Sequence, residues 1–148
     1  MYKHILIPTD GSPTATKGVE HGLALAKALQ AKVTIVTVTE MWSSFEITHE
    51  VRLGKPNPLA SFEEKAKQAS AKILEAAAAK ASAAGIDTQT VHIADMHPAE
   101  GILRAAKERS CDLIVMASHG RRGFRRLMLG SQTAEVATQA DVPVLVVR

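Results

Sequence analysis

Two short stretches carry residues whose types and spacing could do chemistry. The first is PTDGS at 8–12, which follows the apolar run HILI directly. It offers the hydroxyl of Thr9 and the carboxylate of Asp10. Asp10 could accept hydrogen bonds from a sugar hydroxyl, or it could brace the turn that follows, since Asp and Gly are common turn residues. The second stretch is ASHGRRGFRRLMLGS at 117–131. Gly120 would let a ligand approach the backbone closely. Nine residues separate it from Gly130, and Ser131 follows at the expected start of a helix. A helix start offers unpaired N–H groups and a partial positive charge, which together receive anions such as phosphate. Gly-Ser is also an ordinary way to begin a helix, so the spacing alone leaves both readings open.

Arg121, Arg122, Arg125 and Arg126 lie inside that spacer. They could neutralise phosphates, line a nucleic-acid backbone or stay solvated. DNA recognition would also want a docking helix or an aromatic stacking platform. Phe124 is the lone aromatic here, so nucleic acid is not the expected partner. Leu127, Met128 and Leu129 are expected to anchor the loop in the core.

Other chemistries lack their signatures. The chain has no G-x-x-x-x-G-K-[ST] and no G-x-G-x-x-G, which excludes a P-loop and a dinucleotide fingerprint. Its six histidines are scattered, with no H-E-x-x-H and no Cys/His pairing for a metal. Ser118 and His119 beside Asp10 suggest a hydrolytic triad only superficially. Adjacent Ser and His rarely reach each other correctly, and no G-x-S-x-G elbow is present. Cys111 reads as an inert core residue.

The elements that must position these residues follow from periodicity. HILIP at 4–8, KVTIVTV at 32–38, DLIVMA at 112–117 and VPVLVV at 142–147 are short and rich in β-branched residues. Such runs suit strands buried on both faces of a parallel sheet. TQTVHIA at 88–94 alternates more and reads as a strand nearer an edge. Helical spacing fills the gaps. Residues 14–30 follow the start signal Ser12-Pro13. The alanine-rich stretch 59–84 ends at Gly85. His97-Pro98 opens a third helix, and 131–140 makes a fourth with Val136 inward. Strict β-α alternation argues for a parallel sheet with helices on both faces. The stretch 40–58, with Trp42, Phe45, Pro56 and Pro58, reads as a long irregular loop, a lid or a segment without fixed structure. In such sheets ligands bind beyond the carboxyl ends of the strands, where strand order reverses. Both chemical stretches follow strand ends.

Composition bounds the classes. The 148 residues suit a single domain, and 46% are hydrophobic. Aromatics are 3%, so Val, Ile, Leu and Ala must build the core. A formal charge of +3 is small for a dedicated nucleic-acid binder. One cysteine permits no internal disulfide, which fits a reducing, cytoplasmic location. MYKHILIPTDG carries no signal-peptide pattern. No run approaches the roughly 18 apolar residues that span a membrane.

The chain resembles the universal stress protein family over essentially its whole length. HILIPTDGS, VMASHGRRGFRRLMLGS and DVPVLVV carry the resemblance. It implies an open, twisted five-stranded parallel sheet of order 3-2-1-4-5, whose reversal falls between strands 1 and 4. Members that bind ATP are similar in a motif: Gly, two residues, Gly, nine residues, Gly, then Ser or Thr. Gly120, Gly130 and Ser131 match it, and Ala117 stands at the first glycine position. The resemblance implies that Pro8, Thr9 and Asp10 flank the adenosine, with Asp10 at the ribose. Val38 would meet adenine through its backbone. Met116, Ala117, His119 and Gly120 would follow the ribose and phosphates. Gly130, Ser131, Gln132 and Thr133 would hold phosphates, and an arginine such as Arg122 would close over them. Mg2+ or Mn2+ would accompany the phosphates, although no acidic cluster is visible for it. A symmetric dimer would form through residues 143–147, whose apolar edge a monomer would leave exposed. The expected role is a nucleotide-linked regulator with at most slow hydrolysis. The alternative is a member that binds no nucleotide and serves as a dimeric interaction module.

Overall fold

The computed structural model describes residues 1–120 and 128–148. Five strands form one parallel sheet: β1 His4–Pro8, β2 Lys32–Val38, β3 Thr88–Ile93, β4 Leu113–Ala117 and β5 Val144–Val147. Their order is β3-β2-β1-β4-β5. The chain therefore reverses its direction of travel between β1 and β4, where Ile5 and Leu6 pair with Leu113 and Ile114. β3 forms one edge, as the alternation of 88–94 suggested, and β5 forms the other, so 142–147 is not a strand buried on both faces.

The helices are α1 Pro13–Leu29, α2 Ser44–Arg52, α3 Pro58–Ala83, α4 Pro98–Glu108 and α5 Ser131–Gln139. Alternation along the strands divides the core into two layers. Ile5, Ile7, Val33, Ile35, Leu113 and Val115 pack against Val19, Leu23 and Ala26 of α1 and Leu74, Ala77 and Ala81 of α3. Leu6, Val36, Ile114 and Met116 turn the other way, onto Ala99, Ile102 and Ala105 of α4 and Val136 of α5. Both faces of β1, β2 and β4 are thus covered, which is why those strands are short apolar, β-branched runs.

The start signals act locally as read. Ser12 Oγ accepts the N–H of Ala15, and Pro13 fills the first turn of α1. Asn57 does the same for Ala60 at the head of α3. One expectation is corrected: 40–58 is not an irregular loop, because α2 occupies its middle. Ser43 and Glu46 form a capping box, with Glu46 N donating to Ser43 Oγ and Ser43 N donating to Glu46 Oε2. The S-x-x-E spacing was readable. Apolar periodicity missed it because the helix has nine residues and buries only Glu50. A second correction concerns 127–129. Met128 is 66% exposed and Leu129 37%, so neither anchors the loop in the core. Leu127 lies outside the described residues. Among the described residues no helix is long and apolar enough to cross a membrane.

Candidate functional site

β1 and β4 end side by side, and the turns that leave them diverge to opposite faces of the sheet. That divergence opens a crevice at the strand reversal. Its first wall is the turn after β1. Thr9 N donates to Val36 O at 2.9 Å, which extends the β1–β2 ladder one residue past the strand. Asp10 Oδ1 then accepts the N–H of Ser12 at 2.9 Å. The carboxylate therefore does brace the turn, and it is also fixed in direction. Its other oxygen faces the second wall, where a Cβ on residue 120 would lie 2.6 Å from Asp10 Oδ2. Only glycine permits that approach with the carboxylate in place.

The second wall is the β4 end. Ser118 N donates to Val147 O at 2.7 Å, and Gly130 N donates back to Ser118 O at 2.8 Å. Thr133 Oγ1 donates to Ala117 O at 2.9 Å. These bonds join the two ends of the spacer and set the first turn of α5 beside the β4 carboxyl end. A Cβ on residue 130 would meet Ser118 O at 3.2 Å, so this junction too is fitted to glycine. Gly130 is the N-cap of α5 and has no side chain to accept the first-turn N–H groups, and that turn carries no acidic residue. The N–H groups of Ser131, Gln132 and Thr133 thus begin a helix whose positive end no protein carboxylate in that turn neutralises.

The structure brings together Pro8, Thr9, Asp10, Ala117, His119, Gly120, Gly130, Ser131 and Thr133 around this crevice. Ala117 is the last residue of β4 and does not adopt a left-handed backbone. Its methyl lies 3.4 Å from where a Cβ of Gly18 on α1 would stand. It therefore points into the α1 layer, like Val115 two residues before it. Met116 is buried in the opposite layer with α4 and α5. Val38 ends β2 one strand away, and its side chain packs on α4 at Gly101, leaving its backbone as the part available at the strand end. Gln132 is turned aside: its Oε1 accepts the N–H of Ala99, at 3.0 Å, and so caps α4. Its side chain is committed there and only its backbone remains for a ligand. Arg122 lies outside the described residues.

Ser118 and His119 do reach each other, contrary to expectation, with Oγ and Nδ1 at 3.0 Å. Ser118 is 6% exposed, however, so its hydroxyl is closed to a substrate carbonyl. Among the described residues no group of three or more His, Cys, Asp or Glu could hold a metal. Burial pushes the Cys111 thiol up to about 11, which leaves it a protonated core residue at neutral pH. Sequence reading overlooked Gly18, whose Cβ would lie 2.9 Å from Ala117 N. Its signal was present: a glycine inside a helix costs about 1 kcal/mol against alanine, so it usually has a packing reason. His97 was read only as a helix start. It hydrogen-bonds Glu135 Oε2 through Nε2 at 3.0 Å and ties α4 to α5 close to the crevice.

Comparison with known proteins agrees with this fold. The sequence pattern of the universal stress protein family matches residues 1–148. Universal stress protein YxiE of Bacillus subtilis is 33% identical over 150 residues, covering all of both chains. Universal stress protein MJ0577 of Methanocaldococcus jannaschii is 31% identical over 157 residues, covering 100% of this chain and 96% of that one. The solved structure of MJ0577 superposes with a TM-score of 0.76 at 28% identity, over 99% of this chain and 96% of its own. A universal stress protein solved in complex with cAMP superposes with a TM-score of 0.73 at 26% identity, over 99% and 97%.

Proposed function

The chain belongs to the universal stress protein family, and from that premise we propose that it binds an adenine nucleotide, ATP, at the β1/β4 crevice and acts as a nucleotide-linked regulator. The observation that carries the reading is the pair of close approaches at Gly120 and Gly130. These approaches set the Asp10 carboxylate beside the β4 end and the first turn of α5, so a sugar-binding acceptor and anion-binding N–H groups stand at one crevice. A relative of the same fold binds cAMP, an adenine nucleotide.

In this reading Asp10 accepts from the ribose hydroxyls, because Ser12 already holds its carboxylate in one direction. Pro8 and Thr9 form the floor beneath the nucleoside, and the Val38 backbone offers hydrogen bonds to the adenine edge. Met116 and Ala117 shape the β4 end beneath the ribose. His119 and Gly120 follow the phosphate chain. Gly130, Ser131, Gln132 and Thr133 hold the phosphates, the first turn of α5 supplying backbone N–H groups and Ser131 a hydroxyl. Arg122 adds positive charge from the spacer. Mg2+ or Mn2+ would be held by the phosphates themselves, since the described residues offer no acidic cluster for it. The chemistry is binding, with at most slow hydrolysis, and a cytoplasmic location belongs to the same reading.

A homodimer through 143–147 completes it. β5 is a sheet edge and Leu145 on it is 44% exposed, so a second copy would cover both the apolar side chain and the unpaired edge. That same edge favours the second reading, an interaction module that uses its dimer surface and no nucleotide. The two separate cleanly. Denatured protein should release an adenine nucleotide, and protein stripped of it should retain labelled ATP in equilibrium dialysis. A dimer that retains none at millimolar ATP would establish the second reading instead.

A further inference from the structure

The element that sequence periodicity missed has an unusual surface. α2 buries one residue, and that residue is the carboxylate of Glu50. Glu50 Oε2 pairs with Lys55 Nζ and Glu50 Oε1 with Lys65 Nζ, each at 2.9 Å. The Lys65 pair, with Ser61 Oγ donating to Glu50 Oε2 at 3.4 Å, ties α2 to α3, its principal neighbour among the described residues, and Lys55 adds a pair from the connecting turn. Four apolar residues of the segment face outward instead, Met41 at 69% exposed, Phe45 at 79%, Val51 at 56% and Leu53 at 58%, while Trp42 and Ile47 are half-buried. A nine-residue helix held by ion pairs, with Phe45 and Val51 in water and Ile47 only half-buried, lacks much of the packing that normally sustains so short a helix.

Its location says what those groups are for. α3 leads back to the start of β3, so its head stands at the carboxyl ends of the strands. Its first buried residue is Ser70, twelve residues after Pro58. The head therefore overhangs the sheet by about 18 Å at 1.5 Å per residue. α2 sits on that overhang, at the same end of the sheet as the crevice. The chain reaches it directly from Val38. Met41 is three residues beyond Val38, a span of at most about 11 Å. At the far end of α2, Gly54 turns the chain with φ +72° and nothing within 4 Å of its Cβ position, and its N–H donates back to Val51 O at 3.0 Å. None of the described residues assigned to the base and its floor, Pro8, Thr9 and Val38, is aromatic or a long unbranched side chain, and Met116 is buried in the layer of α4 and α5. Among the described residues so assigned, a bound base would have a floor and no roof.

We propose that the segment 39–57 is the cover of the nucleoside end of the site, with Met41 and Phe45 closing over the base of the bound adenine nucleotide. This rests on the nucleotide reading above and adds its missing apolar wall. Closure takes the exposed apolar groups out of water, and the contact is made only when a base is present.

The test uses the full chain and a Met41→Ser/Phe45→Ser variant. Both positions are exposed, so the variant keeps its fold, checked by circular dichroism and Tm. Calorimetry should show Kd for ATP about tenfold weaker in the variant, the equivalent of about 1.4 kcal/mol. In the unaltered chain, saturating ATP should slow amide exchange across 41–53. An unchanged Kd in the folded variant, with the parent chain binding ATP, overturns the cover and leaves the crevice assignment standing. A parent chain that binds no ATP overturns both.

Discussion

Asp10 and Gly120 occupy one small space from opposite walls of the crevice: the carboxylate oxygen Oδ2 lies 2.6 Å from where residue 120 would carry a Cβ. The sequence separates them by more than a hundred residues, and the strand order brings them together. Gly120→Ala must therefore turn the Asp10 carboxylate out of its direction. Gly120 itself is exposed, so folding should tolerate the methyl. We expect ATP affinity to fall about tenfold or more, given that a misdirected charged hydrogen bond costs roughly 1.5–3 kcal/mol, while Tm changes little. Isothermal calorimetry and a thermal melt read the two effects separately.

Ala117 makes the opposite prediction. Its methyl is accommodated in the α1 layer opposite Gly18, and its backbone is ordinary strand. Restoring glycine, Ala117→Gly, should change ATP affinity by less than about threefold, within roughly 0.7 kcal/mol. A large gain in affinity would show that the methyl obstructs the ligand after all.

Gly18 should matter for stability. Gly18→Ala places a methyl 2.9 Å from the backbone nitrogen of Ala117, which cannot rotate away as a side chain could. Overpacking of this kind costs about 1–3 kcal/mol, and urea denaturation should show it as a lower midpoint with an unchanged slope. An unaltered midpoint would mean that the β4 end yields freely.

The hold of α3 on α2 should depend on acid. Hydrogen bonds from Lys65 and Lys55 lower the Glu50 carboxyl to about 2. Because the folded value lies below the ordinary 4.5, the attachment is fully present above about pH 4.5 and is lost as pH falls toward 2. Amide exchange in 44–52, compared with exchange in the core strands, should rise over that window. Glu50→Gln should exchange fast at every pH and lose the dependence. Equal protection in the parent chain and Glu50→Gln would show that the ion pairs do not hold the helix.

Much of this was legible in the sequence, for physical reasons that differ by element. β1, β2 and β4 were readable because burial on both faces demands uninterrupted β-branched runs, and α1 because Ser12-Pro13 is a local start signal that tertiary contacts do not override. The strand order was not readable from the runs; it came through the resemblance, and the structure bears it out. α2 was invisible to periodicity because what it buries is Glu50, a carboxylate. The outward position of Met128 and Leu129 was missed for a related reason: apolar type alone does not say which side of a loop meets the core. At the proposed site, glycine spacing pointed to the junction of β4 and α5. It could not show that Gln132 is spent on the Ala99 N–H, because that bond joins two helices through a fold the local sequence does not encode.

The dimer is tested by a single charge. Leu145→Lys places an ammonium on the exposed edge of β5 and should shift the protein to monomer in sedimentation velocity at micromolar concentration. Parent chain and variant sedimenting alike would place any self-association elsewhere.

The most direct measurement is calorimetric titration of nucleotide-free protein with ATP, repeated on Gly130→Val. The crevice account predicts saturable binding of one ATP per chain, abolished by valine, whose bulk would stand against Ser118 O and over the start of α5. No binding heat from the parent chain at millimolar ATP, or equal affinity in Gly130→Val, would contradict it.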